Sequence, residues 1–201
     1  KKQENFFNSL VIVDHNLNRK FQYDKLKLVP FGEFLPFQDK LEKIGLKKIT
    51  EGFGSFSVGK KSNTFLYDNL SITPLICYEI IFPELIQKIN TKNNLLINIS
   101  EDGWFGNSIG PHQHFAHSIF RAVEEGRNII RSTNNGISAF VGPKGNIISK
   151  TESTQSGVLE IRNLKNNKET FFSKNGNNIF FYFLLFYITL IFFLKINREI
   201  K

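Results

Sequence analysis

The chain of 201 residues contains a single cysteine, Cys77, in a setting that suits nucleophilic chemistry. This cysteine ends the short apolar run Ser71–Cys77 and is followed by Pro83, a residue that commonly opens a helix. A cysteine at the end of a buried strand can expose its sulfur while neighbouring amides point at the same space. That geometry is what a thiolate nucleophile with an oxyanion hole requires. The alternative is an inert cysteine, packed as a small hydrophobe.

A second segment, YDKLKLVPFGEFLPF, holds further groups that could take part in chemistry. It contains two lysines, Lys25 and Lys27, and the glutamate Glu33. Two prolines and a glycine predict that residues 28–37 form a shaped loop and not a regular element. Judged alone, a lysine or a glutamate is usually a solvated surface residue, so these residues need a wider context.

The elements that must position these residues alternate between strands and helices, which predicts a layered α/β domain. No internal repeat or long linker divides the first part of the chain. Strands are predicted at residues 8–13, 71–77, 95–99, 128–132, 137–142 and 146–149, and helices at 83–90 and 112–125, the second ending at Gly126.

The C-terminal run of residues 179–194 is uncharged and apolar on all sides. At about 1.5 Å per residue it is slightly shorter than a hydrocarbon core of ~30 Å. A buried core helix is the alternative, but such a helix normally has a polar face. We therefore predict a membrane helix, with a basic, cytoplasmic end. The predicted divisions are residues 1–165 for the α/β domain, 166–178 for a linker, 179–195 for the transmembrane helix and 196–201 for the cytoplasmic tail.

The charge distribution argues against a nucleic-acid partner. The chain has 26 Lys and Arg against 18 Asp and Glu, a formal net charge of +8. These basic residues are spread along the sequence, without an Arg-rich helix or an RNA-binding signature. An anionic membrane surface or simple solubility accounts for the excess.

Two groups of residues leave a choice open. His112, His114 and His117 could form a metal cluster, but no complete ligand set accompanies them, so we predict no metal and no other cofactor. Trp104 and Phe105 could line a pocket for an acyl chain or pack in the core.

Three segments together resemble the apolipoprotein N-acyltransferases, a membrane-anchored branch of the nitrilase superfamily. The segment described above resembles the lysine motif of that family, and ICYEIIFPEL resembles its cysteine motif. The long block GWFGNSIGPHQHFAHSIFRAVEEGRNIIRSTNNGISAFVGPKG resembles the family's next conserved region. The match runs from about residue 8 to residue 148, and the family's last transmembrane helix corresponds to the C-terminal run. The resemblance implies a nitrilase-like αββα sandwich, partial in this chain.

The resemblance also implies roles for individual residues. Cys77 matches the nucleophile that carries the acyl chain as a thioester, and Lys25 matches the lysine of the Glu-Lys-Cys triad. Its ammonium would stabilise the oxyanion and favour the thiolate form of Cys77. Lys27 is the competing candidate, but the spacing to the following motif residues favours Lys25. Three residues match positions that support the site: Tyr78, Glu79 and Glu33. The backbone amide of Tyr78 would donate a hydrogen bond to the oxyanion.

The implied activity is transfer of a fatty acyl group from a phospholipid to the N-terminal diacylglyceryl-cysteine amine of lipoproteins. The implied location is a bacterial inner membrane, with the catalytic domain in the periplasm. Two alternatives remain: a carbon-nitrogen hydrolase of the amidase or nitrilase type, and a non-catalytic, membrane-tethered homologue.

One departure from the family concerns the start of the chain. The family's catalytic glutamate lies upstream of the lysine motif, and Glu4 sits in a polar start and not at the end of an apolar strand. The chain also has no methionine. We expect the catalytic glutamate and further membrane helices to lie upstream of Lys1, and the 201-residue chain alone to be inactive.

Overall fold

The computed structural model describes residues 5–37, 40, 45, 55–61, 64–68, 70–86, 94–153, 155–162, 164 and 169–199. In these residues, strands β1 (Ser9–Val13) and β2 (Arg19–Asp24) pair antiparallel as a small sheet. A second sheet has the strand order β3-β4-β5-β6-β7-β8. Its strands are β3 (Phe65–Tyr67), β4 (Leu70–Ile76), β5 (Asn94–Glu101), β6 (Asn128–Asn134), β7 (Ala139–Val141) and β8 (Ile147–Lys150).

The centre of the larger sheet is parallel, and this determines where a site can form. Strands β4, β5 and β6 run side by side in the same direction, with Ile76 opposite Ile99 and Ile99 opposite Ser132. Strands β3, β7 and β8 are antiparallel to their neighbours. Because parallel strands end at one edge, the residues that follow β4 and β5 lie close together there.

Three layers pack on one another. Leu10, Tyr23 and Ile76 form the core between the small sheet and one face of the large sheet. The opposite face is covered by helix α1 (Gly110–Glu125), which contributes Phe115 to the larger core cluster. This arrangement confirms the predicted α/β class and the two facing sheets of a nitrilase-like sandwich.

Helix α1 confirms the prediction for this segment, beginning two residues earlier than expected. Pro111 occupies its first turn, where the missing N–H of proline costs no helical hydrogen bond. The helix ends at Gly126, whose left-handed backbone (φ 63°) suits a residue without a Cβ atom.

Two sequence predictions near Cys77 need correction. The predicted strand 71–77 ends at Ile76, because Cys77 turns into the left-handed region. The predicted helix 83–90 is wrong over its first half: Pro83–Leu85 form a single 3-10 turn, and Ile86 is extended. Leu85 and Ile86 are both buried in the larger core cluster, and this packing overrides the local helix preference. Residues 87–90 lie outside the described part of the chain.

A short helix, α2 (Phe171–Asn175), interrupts the segment that the sequence predicted as a linker. The hydroxyl of Thr170 accepts a hydrogen bond from the Ser173 amide at 2.9 Å and so caps this helix. The same hydroxyl donates to the carbonyl oxygen of Glu124 in the last turn of α1. Helix α2 is therefore attached directly to the helix that covers the large sheet.

The final helix, α3 (Asn178–Glu199), extends beyond both ends of the predicted transmembrane helix, so the predicted tail begins within it. Its segment Asn178–Ile196 has a mean hydropathy of 2.4 and no buried share. These 19 residues span about 28 Å, which is close to the thickness of a hydrocarbon core. Helix α3 is thus long and apolar enough to cross a membrane.

The core described above predicts a large cost for truncating Leu96, which is fully buried at the centre of the large sheet. Leu96→Ala should lower the free energy of unfolding by about 2–5 kcal/mol, since it leaves a cavity. The matched control is Leu66→Ala on β3, where the side chain is 65% exposed and the expected change is within about 0.5 kcal/mol. Chemical denaturation in detergent measures both, and equal losses would contradict this packing.

Candidate active site

A cavity of about 950 Å³ opens at the edge where the parallel strands end. Its walls are mostly apolar, with polar side chains such as Lys25 and Glu33 among the lining residues. Of the residues predicted for the site, only Glu79 is not part of the lining. Those that line it are Lys25, Glu33, Cys77, Tyr78, Trp104 and Phe105.

Cys77 has a left-handed backbone conformation, which ends the strand before it. Its φ angle is 53°, in the left-handed region, which costs a residue with a Cβ atom roughly 1–2 kcal/mol. It directly follows the end of β4 and opens the 3-10 turn Cys77–Ile81. Its side chain is half-buried and lines the cavity. The surrounding structure must supply the contacts that hold this conformation.

Glu79 supplies one set of those contacts. Its side chain is fully buried, and its Oε1 accepts from the hydroxyl of Tyr23 at 2.9 Å and from the amides of Leu26 at 2.7 Å and Lys27 at 3.1 Å. Its Oε2 accepts from the amide of Ile76 at 2.8 Å. A buried carboxylate with this many donors is well stabilised without a counter-ion. Glu79 therefore ties the lysine segment to the residue that precedes Cys77.

Lys25 and Glu33 form a buried ion pair in the cavity wall. The Lys25 Nζ lies 2.9 Å and 2.8 Å from the two carboxylate oxygens of Glu33. Glu33 also accepts from Asn8 Nδ2 at 2.7 Å and from the Val29 amide at 2.8 Å. Within the described residues Glu33 takes two of the three ammonium protons, which leaves the third for a group in the cavity.

The two candidate lysines have different surroundings. Lys25 is 1% exposed and lines the cavity. The Lys27 side chain is 46% exposed, and its ammonium lies 3.9 Å from Glu84 and 5.3 Å from the centre of the Phe82 ring. Lys25 is therefore the lysine placed to act on a group bound beside Cys77.

Trp104 and Phe105 lie at the cavity and not in the interior. They belong to the 3-10 turn Asp102–Phe105, which follows β5, and they are 54% and 39% exposed. The alternative of core packing for these two residues is wrong. Together with Val29 and Phe56 they give the cavity an apolar wall.

Sequence reasoning missed a buried polar network behind Cys77. His114 lies with Nδ1 2.9 Å from Asp102 Oδ1 and Nε2 3.3 Å from the carbonyl oxygen of Cys77. Arg131 donates to Asp102 Oδ2 at 2.7 Å and to the side-chain oxygen of Asn98. Burial alone would raise the pKa of Asp102, but the hydrogen bond with His114 and the charge of Arg131 lower it below its usual value.

The signal for this network was present in the sequence. Asn98 and Arg131 are polar residues in the middle of runs predicted as buried strands, and they lie opposite each other on β5 and β6. The histidine cluster was instead considered for metal binding. His114 is turned towards Asp102 and Cys77, and the described residues contain no group of three His, Cys, Asp or Glu side chains arranged for a metal.

The sequence is similar to those of known proteins. The family model described as carbon-nitrogen hydrolase matches residues 1–162. The apolipoprotein N-acyltransferase of Rhodopseudomonas palustris is 42% identical over 155 residues, covering 77% of this chain and 29% of that protein. The enzyme of the same name from Rickettsia bellii is 39% identical over 197 residues, covering 94% of this chain and 39% of that protein. The chain thus spans well under half the length of these curated relatives.

Solved structures match the fold. An amidase from Nesterenkonia sp. superposes with a TM-score of 0.51 at 17% identity, covering 72% of this chain and 51% of that chain. A Saccharomyces cerevisiae member of branch 10 of the nitrilase superfamily gives 0.53 at 18% identity, covering 75% and 51%. At these identities the likeness concerns the architecture of the sheets.

The contact between Tyr23 and Glu79 predicts a pH-dependent contribution to stability. Tyr23→Phe should lower the free energy of unfolding by about 1.5–3 kcal/mol at neutral pH, the range for a hydrogen bond to a charged group. Burial and the charge of Glu79 raise the pKa of Tyr23 above its ordinary value of 10.0. The folded state therefore holds the phenol proton more tightly, so this stabilisation is complete below pH 10 and is lost as the pH rises further.

Chemical denaturation of the wild type and Tyr23→Phe from pH 7 to pH 11 measures the gap between their free energies of unfolding. The matched control is Tyr67→Phe, where the ring is 62% exposed and little change is expected. No gap at neutral pH, or a gap that widens above pH 10, would refute the buried hydrogen bond.

Proposed function

The chain belongs to the carbon-nitrogen hydrolase family, and we propose that the complete protein is an apolipoprotein N-acyltransferase. The observation that carries this proposal is the combination, in one cavity, of Cys77, the buried Lys25 and a large apolar wall. A membrane-length helix on the same chain supports it, because both substrates of such an enzyme carry acyl chains and reside in the bilayer. The names of the relatives, at 39% to 42% identity, support the same activity.

In the first half-reaction the thiolate of Cys77 attacks the ester carbonyl of a phospholipid. A C–S bond forms, the ester C–O bond breaks, and the glycerol oxygen leaves as lysophospholipid with the proton that the thiol gave up. The free ammonium proton of Lys25 and the amide of Tyr78 stabilise the oxyanion of the tetrahedral intermediate. The product is an acyl thioester on Cys77.

In the second half-reaction the amine of a diacylglyceryl-cysteine attacks that thioester. The C–N bond forms, the C–S bond breaks, and the proton that the amine loses goes to the leaving sulfur, which regenerates the Cys77 thiol. The same groups serve both steps, because both pass through an oxyanion at the same carbon atom. Ping-pong kinetics follow from this order of events.

The apolar wall favours a long acyl chain over a small polar amide. Phe56, Trp104 and Phe105 line the cavity, and each methylene that leaves water contributes about 0.8 kcal/mol. An amidase-type hydrolase is the second candidate, since the fold is shared with amidases. Such an enzyme has no use for the exposed aromatic residues or for an apolar helix.

The charges at the end of α3 support a location in the bacterial inner membrane. Lys195 and Arg198 lie in the last turns of this helix, and positive residues remain on the cytoplasmic side of a bacterial inner membrane. The folded domain precedes α3 and would therefore lie on the opposite side, in the periplasm. Phospholipid and lipoprotein are the partners that this location offers.

The proposed thioester is directly testable by mass. The complete gene product, purified from bacterial membranes, should carry a fatty acyl adduct that neutral hydroxylamine removes and that maps to the Cys77 peptide. The Cys77→Ala variant should lack the adduct on this peptide, because the peptide then contains no thiol. Intact-protein and peptide mass spectrometry make the measurement. An unmodified Cys77 after incubation with phospholipid would overturn the acyltransferase proposal.

A further inference from the structure

We propose that His114 is a positioning residue, which aims the Tyr78 amide at the reacting carbonyl group by holding the carbonyl oxygen of Cys77. The proposal rests on the function above only in taking Cys77 as the acylated nucleophile. It assigns the buried network behind the cysteine a role in acyl transfer.

The Cys77–Tyr78 peptide group is held through its carbonyl oxygen. The carbonyl oxygen of Cys77 lies 3.3 Å from His114 Nε2 and accepts from Asn98 Nδ2, also at 3.3 Å. In a trans peptide the C=O and the following N–H point in opposite directions. With its carbonyl held by His114 and Asn98, the peptide directs the Tyr78 N–H away from these two side chains. Tyr78 lines the cavity, as His114 does, so this N–H is the donor that the contact would orient towards a bound substrate.

The hydrogen-bonding pattern of His114 supports its role as a donor to this carbonyl oxygen. Its Nδ1 lies 2.9 Å from an Asp102 oxygen and 3.1 Å from an Arg131 nitrogen. An imidazolium ring donates to both Asp102 and Cys77. A neutral ring protonated on Nε2 also donates to Cys77 and accepts from Arg131, but it sets its Nδ1 lone pair 2.9 Å from an Asp102 oxygen. Both of these states hold the Cys77 oxygen, whereas a ring protonated only on Nδ1 donates to Asp102 and sets a lone pair against that oxygen.

The orientation of the Asn98 side chain is fixed by its hydrogen bonds. Arg131 donates to the Asn98 side-chain oxygen, so the Asn98 amide nitrogen must face the carbonyl oxygens of Leu75, at 3.1 Å, and Cys77. Arg131 is 2% exposed and Asn98 is fully buried, so water does not compete for these bonds. Arg131 therefore fixes both of the groups that hold the Cys77 carbonyl.

The strained backbone at Cys77 also needs contacts that hold it. Its left-handed backbone has a cost, and a strained conformation persists only where its surroundings determine it. Glu79 holds the amide of Ile76 on one side, and His114 and Asn98 hold the carbonyl of Cys77 on the other. The peptide group before Ile76 and the peptide group after Cys77 are thus both held by buried side chains. Loss of the second contact should let the Cys77–Tyr78 peptide rotate.

The test compares two reactions of Cys77 in the complete, detergent-solubilised protein. Acylation by p-nitrophenyl butyrate, followed as a burst of p-nitrophenolate, passes through an oxyanion. Alkylation by iodoacetamide is a direct displacement at carbon and uses no oxyanion donor. His114→Phe should slow acylation by roughly ten- to a hundredfold, since loss of one oxyanion donor typically costs about 10²–10³ in rate. Alkylation should stay within about twofold of the wild type.

The matched control is His117→Phe, one turn further along α1, where the ring packs beside Phe120. This variant should keep both rates near the wild-type values. His114→Gln retains an N–H donor on a flexible side chain and should recover much of the acylation rate. The p-nitrophenyl ester needs no phospholipid, so failure of the proposed lipid substrate would leave this comparison intact.

Three outcomes would overturn the proposal. Unchanged acylation in His114→Phe would show that the contact does not aim the amide. An equal loss of acylation and alkylation in both His114 variants would mean that the contact supports only the fold. Equal losses in the His114→Phe and His117→Phe variants would mean that the effect belongs to the helix and not to the contact.

Discussion

The site depends on the buried carboxylate of Glu79, which joins two segments far apart in the sequence. One of its oxygens accepts from the segment that contains Lys25, and the other accepts from Ile76, the last residue before the nucleophile. Together with the packing of Tyr23 and Leu26 against Ile76 and Cys77, this bridge holds the lysine segment beside the nucleophile. The carboxylate itself does not line the cavity, so its role is to position other groups.

The layers of the fold explain why a carboxylate can serve in this way. Tyr23 packs between the two sheets with Leu10 and Ile76, and its hydroxyl emerges from that core to reach Glu79. On the other face of the large sheet, α1 brings His114 to the carbonyl oxygen of Cys77. Cys77 is therefore held from both layers at the edge where the parallel strands end. A rigid scaffold of this kind preserves the geometry that an oxyanion site needs.

The sequence predicted the order of the elements well, because strands and helices here follow clear apolar periodicity and end at strong signals such as Gly126. Six of the seven site residues selected from the sequence line the cavity, and Glu79 does not. The sequence did not predict β2, whose apolar residues are only Phe21 and Tyr23, or β3, which is only three residues long. The first half of the helix expected at 83–90 is wrong because two consecutive buried residues, Leu85 and Ile86, follow the core and not the helical period. The Asp102, His114 and Arg131 network was missed because its members meet only after three separate elements pack together.

A single pair of variants tests whether Glu79 holds the site together. In Glu79→Gln the side-chain NH₂ group would face the amide of Ile76, donor against donor, whereas Glu84→Gln changes an exposed glutamate near the same turn. The measurement is the rate of Cys77 acylation by phospholipid in the complete protein. We expect a loss of about a hundredfold for Glu79→Gln, as for a misplaced reacting group, and a near wild-type rate for Glu84→Gln. Acylation at the wild-type rate in Glu79→Gln would show that this carboxylate does not hold the site together.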